Sequence, residues 1–309
     1  MNSICTDQNA ERQLDRLAAQ RALYTKAKTI FAWHALLSTV VAAGLSAWAL
    51  FCSEVKPYAA AWGVTLAGLD IFWLTPWQKK LRETAATIQE SFDCEVLGMP
   101  WQPLKVGKEP EHEVVVEQAA VYRRREPSLE SLRNWYPTDV CRMPLFLARV
   151  VCQRVNAWWD AKQRRRYAFF LIGSVVLLLV GVVAVGIARH VQLGDLLITT
   201  VAPLTGGIVL ALRQYKENAD AAERLEKLKA HARDLWRRAL AGAPETELTA
   251  QSRVLQDELF DNRKRNASVF DWVYRLLRYG HETQMQESAA QQVRELEAAR
   301  EALERSSGT

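Results

Sequence analysis

The sequence predicts a mainly α-helical polytopic membrane protein, with four transmembrane helices as two hairpins and helical cytoplasmic parts in the centre and at the C-terminus. Three observations predict it. First, the 40 Lys and Arg and 35 Asp and Glu among 309 residues are placed very unevenly. Thr29 to Ser53, Tyr167 to Ala188 and Leu196 to Leu212 hold no charge, and Pro57 to Gln78 holds only Asp70. A bilayer core of roughly 30 Å takes about 20 apolar residues as helix, because unbonded backbone groups are too costly in lipid. Second, the stretches come in pairs separated by short loops. Third, Lys and Arg crowd one side of them. A freely soluble enzyme and a secreted disulfide scaffold are excluded, and a net charge of +5 names no DNA or RNA partner.

Residues 1–28 mix Asp7, Glu11 and Asp15 with basic residues and have no apolar core, so they read as a cytoplasmic helix and not as a cleavable signal. Residues 29–78 form the first hairpin, turning at Ser53 to Lys56. Arg12, Arg16, Arg21, Lys26 and Lys28 precede it, and Lys79, Lys80 and Arg82 follow it, whereas the two short loops carry only Lys56 and Arg189. Both termini and the centre are therefore expected in the cytoplasm. Residues 79–166 form a central cytoplasmic domain. Within it, Pro144 can open a helix that runs through Leu147, Val151, Val155 and Trp158 without a breaker before Gly173. Residues 167–212 are the second hairpin, its last span extended back to Val191. Residues 213–309 form a C-terminal helical domain, with Leu225, Leu228, Ala232, Leu235 and Ala239 at 3,4 spacing and no Pro or Gly from Ile208 to Ala241. These seams read either as core packing or as a rigid connection from the cytosolic domain to the pore-side helices.

Five cysteines, Cys5, Cys52, Cys94, Cys141 and Cys152, show no CxxC spacing and lie mostly on the cytoplasmic side. Neither zinc nor a structural disulfide is expected. No phosphate loop, serine elbow, HExxH or carboxylate pair with a partner base occurs, so no catalytic residue, metal or cofactor is expected. Trp135 and Tyr136 stand near Arg142 and Arg154, and stacking faces beside guanidinium groups are what a nucleotide requires. The same residues also suit core or interfacial packing. Arg123 to Arg125 read as a solvated or lipid-facing run, and Arg164 to Arg166 as topology determinants touching anionic lipid.

Asp70 is a functional candidate as the single charge within the spans. It lies roughly 12 Å from the cytoplasmic end of its span and His34 roughly 8 Å from the same boundary, at about 1.5 Å per residue. The two can pair, or Asp70 can line an acidic ring in an oligomer, or reach the headgroups. Pro203, Gly206 and Gly207 read either as a hinge in the last span or as a static packing notch.

The run Ile88-Gln89-Glu90-Ser91-Phe92-Asp93-Cys94 with Leu97, Gly98, Pro100 and Trp101 resembles the segment after the first hairpin in the SMODS-associated four-transmembrane effector family. Trp135-Tyr136-Pro137, Cys152-Gln153-Arg154, Asn156, Trp159-Asp160 and Tyr167 resemble its approach to the second hairpin. Gln256-Asp257, Phe260, Arg263, Asp271-Trp272, Tyr274 and Arg278 resemble its C-terminal pattern. The resemblance covers nearly the whole chain and implies an effector of bacterial antiphage signalling, in the inner membrane. It implies a cyclic oligonucleotide messenger as activating ligand, the lipid bilayer as target, and a homo-oligomer. It transfers no ligand site. A constitutive channel or transporter and a membrane-anchored scaffold remain as alternatives.

Overall fold

The computed structural model describes residues 2–190, 192–197, 201–266, 269–270, 284 and 287–298. Its order is α1 (Ile4–Asp7), α2 (Glu11–Leu36), α3 (Ala42–Phe51), α4 (Lys56–Leu69), α5 (Thr75–Val96), α6 (Pro103–Val106), α7 (His112–Arg123), α8 (Leu145–Ala188), α9 (Leu193–Leu196), α10 (Ala202–Leu240) and α11 (Glu245–Arg265). No strand occurs among the described residues. A π-helical turn, Leu37–Val41, joins α2 to α3, and a second, Asp70–Leu74, joins α4 to α5. Among the described residues, α8 carries the whole expected third span as the apolar end of a longer helix whose other end is polar.

The two seams are core. Leu147, Val151 and Val155 of α8 and Leu225, Ala232 and Leu235 of α10 are all buried in one cluster. Pro144 caps α8 as expected, and the helix then continues for 44 residues to Ala188. Helix α5 ends at Gly98, whose φ of +60° disfavours a side chain. There Met99 N–H donates to Cys94 O (2.7 Å) and Gly98 N–H to Glu95 O (3.2 Å), closing the helix end. Arg149 of α8 donates to Leu97 O at 2.5 Å and Gly98 O at 2.6 Å, which ties this end to the centre of the fold.

The apolar ends carry large exposed side chains, among them Trp33, Val64, Phe72, Leu177 and Ile187. Among the described residues, two helices, Glu11–Leu45 and Leu145–Ala188, are long and apolar enough to cross a membrane, with mean hydropathy 1.3 and 2.9. Only 6% and 11% of their apolar windows are buried, unlike the core helix of a soluble protein.

Two expectations are corrected. Cys5 and Cys141 form a disulfide, with Cα atoms 6.1 Å apart and a sequence separation of 136. Spacing could not reveal it, because the pairing depends on the N-terminal turn folding back onto the 3-10 turn Thr138–Arg142, where Asn2 Nδ2 also donates to Val140 O (2.8 Å) and Met143 O (2.9 Å). Arg164 does not face lipid. It is buried, with Nε 2.8 Å from Asp160 and Nη1 donating to Asn218 Oδ1 at 3.1 Å. Arg123 is likewise paired, with Asp15 at 2.7 Å and Glu11 at 3.5 Å.

Candidate functional site: a polar cavity and the intramembrane pair

Glu90 and Asp93 stand three residues apart, on one face of α5, and both are fully buried. Buried carboxylates are tolerable only when paired and hydrogen-bonded, and α11 supplies the partners. Arg253 donates to Glu90 at 2.7 Å, Arg263 to Asp93 at 2.5 Å, and Gln256 to Glu90 (2.8 Å) and Asp93 (2.9 Å). Gln153 of α8 donates to Gln256 Oε1 at 3.1 Å. Burial and the neighbouring Asp93 push the Glu90 carboxyl up, against the pull of Arg263, Arg253 and Gln256. Burial opposes the charge on Arg263, but Asp93, Tyr136 and Glu90 outweigh it and raise its pKa.

An open cavity of about 180 Å³ lies beside this network, lined by residues of α2, α5, α8, α10 and α11, with Trp135 and Trp159 on its wall. Cationic groups surround it. Arg21 lies 5.6 Å over the Trp135 ring, and Lys28, Arg164 and Arg263 also line it. Tyr24 sits there too, its hydroxyl pushed up to about 12 by burial. Three wall atoms are buried without a hydrogen-bond partner: Trp135 Nε1, Asn262 Oδ1 and Asn266 Nδ2. Asn262 and Asn266 are each 4% exposed. An unmet buried polar atom is costly, and all three residues belong to the wall of this one cavity.

The expected ligand residues do not come together. Trp135 is on the cavity wall and packs edge-on to Phe92 at 6.4 Å. Tyr136 is inside the core. It stacks on Phe92 (6.0 Å), its hydroxyl donates to Asp93 at 2.6 Å and accepts from Asn156 at 3.1 Å. Arg154 turns to the tail helix, donating to Ser288 Oγ (2.6 Å) and Gln292 Oε1 (2.7 Å). Arg142 is exposed at the end of its 3-10 turn. This corrects the grouping: Trp135 stays with the cavity, while Tyr136, Arg142 and Arg154 lie elsewhere. Sequence reasoning missed Asn262, Asn266, Gln20 and Gln163, since amides scattered over the chain leave no periodic signal.

At the apolar ends, His34 Nδ1 lies 3.4 Å from Asp70 Oδ1, the pairing geometry anticipated across the hairpin. Thr75 Oγ1 donates to Asp70 at 2.8 Å, and Trp62 Nε1 donates to Leu37 O at 3.3 Å. Both bonds engage the π-helical turns, a conformation common where a helix serves a function. Pro203 lies in the first turn of α10. A Cβ on Gly207 would overlap the Thr39 side chain, and one on Gly206 would come 3.5 Å from Ser38 O. These glycines therefore sit where α10 passes the first π-turn at close approach. Asp271, Trp272, Tyr274 and Arg278 lie outside the described residues.

A profile of the SMODS-associating 4TM effector domain matches residues 2–292. The chain is also similar to a probable CBASS effector molecule of Bacillus cereus strain VD146, at 23% identity over 274 residues, 86% of this chain and 90% of the relative. No solved structure matches. With the profile spanning almost every residue that builds the cavity and both apolar hairpin ends, the chain belongs to the SMODS-associating 4TM effector family.

Proposed function

We propose that this protein is a non-enzymatic membrane effector of bacterial antiphage defence, which binds a cyclic oligonucleotide in the polar cavity and then permeabilises the inner membrane as a homo-oligomer. Four spans carry it through the bilayer, with both termini in the cytoplasm. Membership in an effector family supports the role. The observation that carries the ligand reading is the cavity wall itself, where Trp135 and Trp159 stand with Arg21, Lys28, Arg164 and Arg263, the last two also pairing with Asp160 and Asp93. Bases stack on such indoles, phosphates pair with such cations, and the amides meet a base edge.

The test is a tryptophan-fluorescence titration of purified protein with cyclic di-AMP, cyclic di-GMP and cyclic tri-AMP, followed by carboxyfluorescein leakage from anionic liposomes. At least one nucleotide is expected to bind and to trigger leakage. Trp135→Ala is expected to weaken binding by about 5- to 150-fold, the ~1–3 kcal/mol of one stacked base, while Arg154→Ala leaves it within about twofold. Leakage that is complete without nucleotide and unaffected by it points to a constitutive channel and overturns the proposal.

A further inference from the structure

A second cavity, about 500 Å³ and almost wholly apolar, lies between the apolar ends of α2, α8 and α10. Phe31 and Ala35 of α2, Leu171 and Leu178 of α8, and Leu204 and Ile208 of α10 are among its walls. Phe170 and Leu178 on that wall are exposed, so the cavity opens sideways onto the surface that the apolar helix ends present outward. Its polar side chains are partly spent. Ser174 Oγ donates to Phe170 O at 2.8 Å and Gln214 Nε2 to Glu217 at 3.4 Å, both within their own helices. Along α8 the walls run from Tyr167 to Leu178, roughly 16 Å at about 1.5 Å per residue, which is one leaflet of a bilayer core of roughly 30 Å.

The same three helices change character at one end of the cavity. Lys28 stands one turn before Phe31, Arg165 and Arg166 stand directly before Tyr167, and Arg213 stands beside Gln214. Arg165 faces Glu226 at 3.4 Å and Arg213 faces Glu217 at 3.1 Å, whereas Arg166 is exposed, one turn from Phe170 on the cavity wall. Lys28, Arg165, Arg166 and Arg213 against Glu217 and Glu226 leave this rim positive. An aliphatic slot of leaflet depth beneath a cationic rim is complementary to an amphiphile with a negative head. We propose that the slot seats one anionic phospholipid of the cytoplasmic leaflet, with an acyl chain in the cavity and its phosphate at the rim beside Arg166. The site rests on the reading of the apolar ends as membrane spans and needs no nucleotide.

The test uses the full chain, first in liposomes and then in detergent. Protein that sodium carbonate washes off the liposomes overturns the membrane reading and the lipid site together. Inserted protein is extracted and titrated with phosphatidylglycerol and phosphatidylcholine of equal chain length by native mass spectrometry. One phosphatidylglycerol per chain is expected to bind about fivefold more tightly than phosphatidylcholine, the ~1 kcal/mol of one basic residue at an anionic surface. Arg166→Ala should remove that preference, and Arg166→Lys should keep most of it. Ala35→Trp, which fills the slot, should weaken phosphatidylglycerol by about tenfold, within the range that overpacking costs. Val183→Trp, on the exposed face of α8, should leave it unchanged. Inserted protein that holds both lipids equally, or Ala35→Trp protein of normal helicity that holds phosphatidylglycerol as the unaltered protein does, overturns the site while leaving the membrane reading in place. A dimer that Ala35→Trp dissolves without any change in bound lipid also overturns it, and assigns the slot to a second copy of the chain.

Discussion

The polar and apolar halves of the fold are held together in opposite ways. In the polar half, α5, α8, α10 and α11 enclose a dense cluster, and inside it two carboxylates are matched by two arginines and a glutamine. In the apolar half the side chains turn outward, as Val64 (76% exposed) and Leu177 (73%) do, and the specific contacts among the described residues include the His34 to Asp70 pair, the Thr75 and Trp62 hydrogen bonds and a glycine approach. Burial from water drives the first half together. Lipid offers no such drive, so close backbone approach and a few polar bonds must suffice there.

The contrast breaks most visibly at Asp93. Asp93→Ala leaves Arg263 buried without its partner, which costs about 3–5 kcal/mol and should appear as a large drop in the thermal midpoint of the detergent-solubilised protein. Val180→Ala at the exposed apolar end, where Val180 is 59% exposed, should leave the midpoint nearly unchanged. Equal shifts for the two would erase the distinction.

A smaller effect is expected at the glycine approach. Gly207→Ala pushes a methyl into Thr39, and overpacking of this kind costs about 1–3 kcal/mol. Thr39→Ala should return part of that loss in a double-mutant cycle. Additive effects would mean that α10 does not rest on the first hairpin at this point.

Thiol labelling gives the finest comparison. Burial, with the Glu90 charge, pushes the Cys94 thiol up to about 12, and burial raises Cys152 well above the usual thiol range. Thiolate is the reactive form, and both pKa values exceed the labelling pH, so maleimide at pH 8 should modify neither until the protein unfolds. Raising the pH toward 10 should leave them slow. Cys52, half-buried at the hairpin tip, should label first.

The helical architecture was legible because its signals are local. Pro144 at the entry to α8 and the 3,4 spacing from Leu225 to Ala239 need only neighbouring residues to be read. The His34 to Asp70 contact was legible too, since helical rise alone sets depth in a hairpin. The cavity was not, because its wall draws on Gln20, Trp135, Asn156 and Asn262, which meet only through tertiary packing. Arg154 shows the same limit at closer range. Asn156, two residues on, lines the cavity, whereas Arg154 faces the tail helix, and a helix surface turns about 200° over two residues at 3.6 per turn.

Helix α8 has one further consequence, which concerns degrees of freedom. It runs unbroken for 44 residues from the buried network to the far apolar end, and α10 runs 39 beside it. Two unbroken antiparallel rods forbid the halves from swivelling independently and leave mainly a concerted tilt. The apolar stretch of α8 spans about 33 Å at 1.5 Å per residue, so a tilt of about 5° displaces its far end by roughly 3 Å. Such a displacement is comparable to the clearance between packed helices. A small angular change at the end held in the buried network is therefore magnified at the far apolar end while every backbone hydrogen bond in the rods stays made.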